Sequence, residues 1–278
     1  MEEKANGGKA VADGQKEEIP PYVIELFFEK KPDLNKDSLL EALKKYTSNP
    51  EIDTFSETEK TVLSAGDSGN PSKRIKINIE QRSFDREGLL EYASSFRQSW
   101  NWRTAKETIQ NCNMIIRISD EYSAKIPYNL RVDLLRNILR AIVEKIGCSA
   151  VHFQMTQQFT KPENYVYSFC DPSPDKLFGF INVRFFKIHD SDDMVMDTLG
   201  LNALGLNDVQ CSFKRYNPKD ISNILYNTAY YLFDSGNIII DGDTVQGLKR
   251  TDKWVCKKET SLVAPKRKVI DIAPGLYK

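Results

Sequence analysis

The chain is poor in histidine, carries no net charge and contains no long apolar run. Its two histidines, His152 and His189, stand apart from its five cysteines, Cys112, Cys148, Cys170, Cys211 and Cys256, which form no C-x-x-C pair. A structural zinc site needs four such ligands at short, regular spacings, so no metal is expected. Cysteines that are odd in number and widely scattered offer no disulfide framework. They read as small apolar side chains in a reducing compartment, with Cys148 and Cys211 the clearest buried thiols.

The 39 basic and 39 acidic residues cancel. The global electrostatic footprint of a nucleic-acid-binding protein is missing, so no nucleic-acid partner is expected. No segment approaches the ~20 consecutive apolar residues that span a bilayer, which excludes a membrane helix. The opening MEEKANGGKAVADGQKEEIPP lacks the apolar core of a secretory signal, so a cytoplasmic location is expected. Residues 1–20 read as a disordered tail, because such a polar composition cannot offset its ordering entropy. Neither G-x-S-x-G, a P-loop, G-x-G-x-x-G nor H-E-x-x-H occurs, and no cofactor is expected. Catalytic histidines are recruited in space, so the missing motifs weigh only lightly against catalysis.

Against these absences, 40% of the residues are apolar and 10% aromatic, enough for a substantial core. PYVIELFFEK reads as a strand and NKDSLLEALKKY as a helix. EKTVLSAG and RIKINIEQR read as strands, the second with Ile75, Ile77 and Ile79 alternating with polar residues. Two short helices follow, joined near Trp100 and Trp102, and then the strand MIIRIS. NLRVDLLRNILRAIVEKIG is the clearest helix, with Gly147 to end it. AVHFQMTQQF reads as one strand. In the second half, GFINVRFFKI, DMVMDTLG and DVQCSFKRY read as strands. NPKDISNILYNTAYYLFDSG carries helix punctuation at Asn217, Pro218 and Gly236. NIIIDGD, KWVCKKE and KRKVIDIA read as three closing strands. The predicted class is α+β: mixed, mainly antiparallel sheets with helices packed on them. Two similar-sized halves, 21–160 and 161–278, are expected to form one compact unit.

Few stretches look chemical. Asp241, Asp243 and Thr244 in IIIDGDTVQG offer carboxylates and a hydroxyl to a cation, but the ligand spacing fails the EF-hand pattern. Asp-Gly is also a favoured turn pair, so a turn is the competing reading. In SDDMVMD, Asp192 and Asp193 read as a solvated hairpin tip, whereas Asp197 precedes the bend at Gly200. Trp100 and Trp102 are candidates either for core packing or for a binding surface, where tryptophan is a frequent anchor. Arg136 and Arg140 read as a solvated helix face. The lysines of KWVCKKE and PKRKV read as protection of edge strands.

TLGLNALGL, DISNILYNTAYYLFDSG and IIIDGDTV leading into ETSLVAPKRKVIDI resemble a bacterial family, domain of unknown function 4261. Its pattern falls here on Thr198, Gly200, Leu201, Tyr230, Gly236, Asp241 to Thr244, Ser261, Pro265 and Arg267. The W-x-W pair, the IIRIS strand, the long helix and the tyrosine after KPEN also fit, so the resemblance spans roughly residues 20–273. It implies a single fold. The C-terminal half is also similar, more faintly, to suppressor-of-fused-type domains, whose bacterial relatives include immunity proteins that bind and block toxins. The resulting expectation is a non-catalytic protein-binding module of the immunity or adaptor type, whose partner is another protein. The alternatives are a hydrolase or ligand-binding enzyme using Asp241 and Asp243, and a scaffold component of a larger assembly.

Overall fold

The computed structural model describes residues 19–85, 87–121, 125–170, 172 and 174–274. Most of the expected tail, residues 1–18, lies outside them. Seven strands form the first sheet: β1 (Val23–Phe28), β2 (Glu51–Thr54), β3 (Lys60–Gly66), β4 (Arg74–Ser83), β5 (Met114–Glu121), β6 (Ala150–Phe153) and β7 (Gln158–Thr160), in the order β2-β3-β4-β5-β1-β6-β7. The second sheet has β8 (Asn182–Lys187), β9 (Met194–Leu199), β10 (Asp208–Phe213), β11 (Thr244–Gln246), β12 (Lys253–Thr260) and β13 (Lys268–Ala273), in the order β11-β12-β13-β10-β9-β8. Among the described residues β10 and β13 pair in parallel, while the other pairs of named strands are antiparallel. The class is α+β with mainly antiparallel sheets.

The helices are α1 (Lys36–Tyr46), α2 (Ala93–Gln98), α3 (Ala105–Ile109), α4 (Tyr128–Ile146), α5 (Pro162–Tyr167) and α6 (Pro218–Ser235). No helix among the described residues is long and apolar enough to cross a membrane. Local chemistry sets the helix ends. The Asn35 side chain accepts from the amides of Asp37 and Ser38 at the start of α1, satisfying donors that lack an intrahelical partner. Asn217 does the same for the Lys219 amide at the start of α6, where Pro218 has no amide proton to satisfy, and the helix stops at Gly236 with φ of 84°.

Both faces of the first sheet are covered, which is why β1 is buried at every position. Ile24 and Leu26 of β1 face the main core, shared with Leu43 of α1 and Leu139 of α4. That core continues to Phe180, to Leu225 of α6 and to Ile270 of β13, so residues of both sheets meet in it. Phe27 faces the other way, into a smaller core with Tyr92, Trp102, Ile109 and Phe159. The segment carrying α2 and α3 therefore roofs the sheet face opposite α1 and α4.

Several expectations need correction. Asn237–Asp243 forms no strand; Ile238 and Ile240 are exposed while Ile239 is buried. AVHFQMTQQF divides into two strands, because the chain turns at Gln157 with φ of 53°. PENY opens an additional short helix, α5, and β2 is an additional edge strand. β12 and β13 are interior strands, so their lysines, though exposed, guard no edge. Arg136 is buried and donates to the Asp175 carbonyl, and its guanidinium covers the Phe169 ring. A helix stripe read only from apolar spacing misses an arginine whose stem packs and whose head finds a carbonyl. Cys211 is buried, whereas Cys148 is half-buried.

Candidate functional site

A row of polar residues crosses the roofed face of the first sheet. Glu25 of β1 pairs with Arg117 of β5 on one side and with His152 of β6 on the other. Arg117 in turn stands opposite Glu80 of β4, and His152 opposite Phe159 of β7. Directly opposed residues project to the same face, so register alone brings these side chains into line.

The hydrogen bonds define the chemistry. His152 Nδ1 lies 3.0 Å from Glu25 Oε2, and Nε2 lies 2.9 Å from the Ser95 hydroxyl in α2. A carboxylate only accepts, so Nδ1 carries the ring proton and Nε2 presents its lone pair to the serine O–H. The Tyr92 hydroxyl donates to Glu25 Oε2 at 3.0 Å, and Arg82 Nη2 donates to Oε1 at 2.7 Å. Burial pushes His152 below the ordinary imidazole value, against the upward pull of Glu25. Burial alone would raise Glu25, but the hydrogen bonds from His152 and Tyr92 and the nearby charges hold it below the ordinary carboxyl value. The ring stacks on Phe159 with centroids 4.4 Å apart and meets the edge of Tyr92 at 5.0 Å. A cleft of 360 Å³ opens over this array, with Arg117, Gln154 and Gln157 also in its lining. The Arg117 side chain makes no ion pair among the described residues.

The two tryptophans part company. Trp102 is 7% exposed within the smaller core, and Trp100 is 61% exposed. α2 ends before them, and a turn closed by the Trp102 amide on the Ser99 carbonyl sends the rings in different directions. Trp100 Nε1 donates to the Val183 carbonyl of edge strand β8 at 3.3 Å. Leu90, earlier in the same roof, is 83% exposed.

Asp241, Asp243 and Thr244 lie far along the second sheet's edge, all exposed. Asp243 Oδ2 accepts from the Ile240 amide at 2.9 Å, and Asp241 Oδ1 accepts from the Lys258 amide at 2.7 Å. Gly242 donates to the Cys256 carbonyl, and the Asp243 carbonyl accepts from Cys256. Each carboxylate thus holds backbone, and Thr244 opens β11 opposite Val255. Among the described residues no group of three or more His, Cys, Asp and Glu could hold a metal ion.

Asp197 has a different surrounding. Arg184 grips it through two hydrogen bonds at 2.9 and 2.6 Å, and Arg267 Nη2 reaches it at 2.7 Å. Arg267 Nε also donates to Asp208 at 2.8 Å, and Asp208 accepts from Thr198 and from the Leu201 amide. Ser261 receives the Arg267 amide and donates to the Pro265 carbonyl, closing the loop that delivers the arginine. A Cβ at Gly200 would stand 2.1 Å from the Phe180 carbonyl, so the bend after Thr198 requires glycine. The four charged side chains are at most 2% exposed, which makes this a sealed structural lock and leaves no room for a ligand.

An α+β protein with a polar cleft on one sheet and an ionic lock in the other is the class these features define. Residues 197–273 match the family model described as Domain of unknown function (DUF4261). The lock and the loop that closes it draw on Thr198, Gly200, Ser261, Pro265 and Arg267, all inside the matched stretch. No curated protein and no solved structure matches the chain.

Sequence reasoning passed over Glu25, Ser95 and His152. A signal was present for two of them. Glu25 interrupts the apolar VIELFF and His152 interrupts AVHF, and a charged or polar residue inside a doubly buried strand must find partners. Ser95 carried none.

Proposed function

We propose that the protein is a partner-binding module of the immunity or adaptor kind, acting in the cytoplasm, whose docking face is the roof that carries Leu90, α2 and Trp100. The observation that carries this reading is the exposure of Trp100 beside a buried Trp102. A large aromatic left in water on a well-packed surface is the residue type most often found at the energetic centre of an interface. Leu90 adds a second apolar anchor, and the residues between them, Tyr92, Ser94 and Ser95, line the polar cleft. A partner covering both anchors would set a polar side chain over that cleft. The neutral overall charge and the resemblance to suppressor-of-fused-type relatives fit the same reading, the latter by analogy of fold alone. The acid pair Asp241 and Asp243 gives the alternative enzyme reading little support, since both carboxylates are engaged by backbone amides.

Co-expression with the products of neighbouring genes tests the proposal. A saturable complex is expected with one of them, lost in Trp100→Ala and Leu90→Ala at unchanged melting temperature. A complex that survives both substitutions places the docking face elsewhere.

A further inference from the structure

We propose that Ser95 is the nucleophile of an acyl-transfer site, with His152 as its general base and Glu25 as the residue that positions the base, acting on a small polar ester. The site shares α2 with the proposed docking face, but its chemistry needs neither Trp100 nor Leu90.

Three observations carry it. The first is the linear array itself: serine hydroxyl, imidazole and carboxylate joined by hydrogen bonds of 2.9 and 3.0 Å. An activated nucleophile needs a base within hydrogen-bond reach and a third group to orient that base. The second is the fixed tautomer. Glu25 holds the proton on Nδ1, and Phe159 and Tyr92 clamp the ring, so the Nε2 lone pair points only at Ser95. A ring kept neutral by its burial is in the protonation state a general base requires. The third is the cleft. Its 360 Å³ suits a small acyl group, and Gln154 and Gln157 line it with Ser95. Arg117 lines the same cleft between Glu80 and Glu25, with no ion pair within 4.0 Å among the described residues. A guanidinium so placed stabilises an oxygen that becomes negative.

The Ser95 oxygen bonds to the ester carbonyl carbon while its proton passes to His152 Nε2, and the carbonyl oxygen becomes an oxyanion facing Arg117. The oxyanion collapses, the carbon–oxygen bond to the alcohol breaks, and the alcohol leaves with the proton from Nε2. Water then attacks the acyl-serine, giving a proton to Nε2. Ser95 departs and recovers it. Ester and water become acid and alcohol, with no oxidant or reductant.

A fluorophosphonate probe and p-nitrophenyl acetate test this on the full chain. Peptide mapping should place the phosphonate on Ser95 in the folded protein and show no adduct there in urea. Ser95→Ala should lose the label and lower ester turnover by about 100-fold or more, the scale of a general-base-assisted nucleophile, while the variant remains folded. Glu25→Gln should lower kcat more than it raises KM. A folded wild-type protein that stays unlabelled at Ser95, or a Ser95→Ala variant with undiminished turnover, overturns the assignment. Because the mapping uses the wild-type chain, misfolding of a variant leaves the test decisive.

Discussion

Arg267 reaches Asp197 at 2.7 Å across 70 residues of sequence, and both side chains are sealed from solvent. The same guanidinium also serves Asp208. Removing it strands charge in a space that water does not enter. Arg267→Met should therefore cost about 3–5 kcal/mol, the usual penalty for breaking a buried pair. Urea denaturation measures it, and a loss below about 1 kcal/mol would mean that solvent reaches the lock.

His152 links the cleft to pH. Burial lowers its pKa from the ordinary 6.5, so the unfolded chain takes up a proton that the folded protein refuses. The stability this group contributes is complete above its unfolded value and is lost as pH falls toward its folded value. Asp208 and Asp271, both raised by burial, act in the opposite sense at acid pH, but equally in wild type and variant. Between about pH 7.5 and 5.5 the wild type should lose more stability than His152→Gln. Equal losses would show that the ring is protonated in the folded state.

The turn at Asp241–Asp243 separates backbone from charge. Gly242 has φ of 89°, and a Cβ there would meet nothing within 4 Å. Gly242→Val should cost about 1–3 kcal/mol through backbone strain alone, and Gly242→Asn less, since asparagine tolerates that region. Asp243→Asn keeps the acceptor for the Ile240 amide and should change stability by no more than about 0.5 kcal/mol. A thermal-melt series on the three variants checks the order. A larger loss in Asp243→Asn than in Gly242→Val would assign the site to its charge.

The thiols should divide one against four. Cys170 is exposed. Burial pushes Cys148 and Cys211 up to about 12 and Cys256 up to about 11, and raises Cys112 as well. The thiolate is the reactive form, so Ellman's reagent at neutral pH should find one fast thiol per chain and the rest only after denaturation. Cys170→Ser should remove the fast phase; a fast phase that persists would point to an opening near Cys148.

Periodicity and capping made most elements legible. Ile75, Ile77 and Ile79 announce β4, and the punctuation of α6 from Asn217 to Gly236 is read directly. Three isoleucines in a row misled for a physical reason. β-branched residues fit a strand, but a strand also needs a neighbour, and Ile238–Ile240 finds no ladder before β11. Trp100 and Trp102 look alike in sequence because the turn at Ser99 that divides them is set by packing. Glu25 and His152 stood out singly, but their assembly with Ser95 was not legible. Its members lie 57 and 127 residues apart in their two pairings; the register of β1 against β6 joins Glu25 to His152, and the packing of α2 on the sheet adds Ser95.

The place of β13 has a consequence for how the protein is made. It is translated after the other five strands of its sheet, yet it sits between β12 and β10 and carries Arg267 at its entrance. Until it emerges from the ribosome, β10 and β12 each present an unpaired edge, and Asp197 and Asp208 wait without their shared cation. The second sheet thus cannot close until β13 has been made. A nascent chain stalled before residue 268 would be the species most exposed to proteases and to aggregation through its open edges.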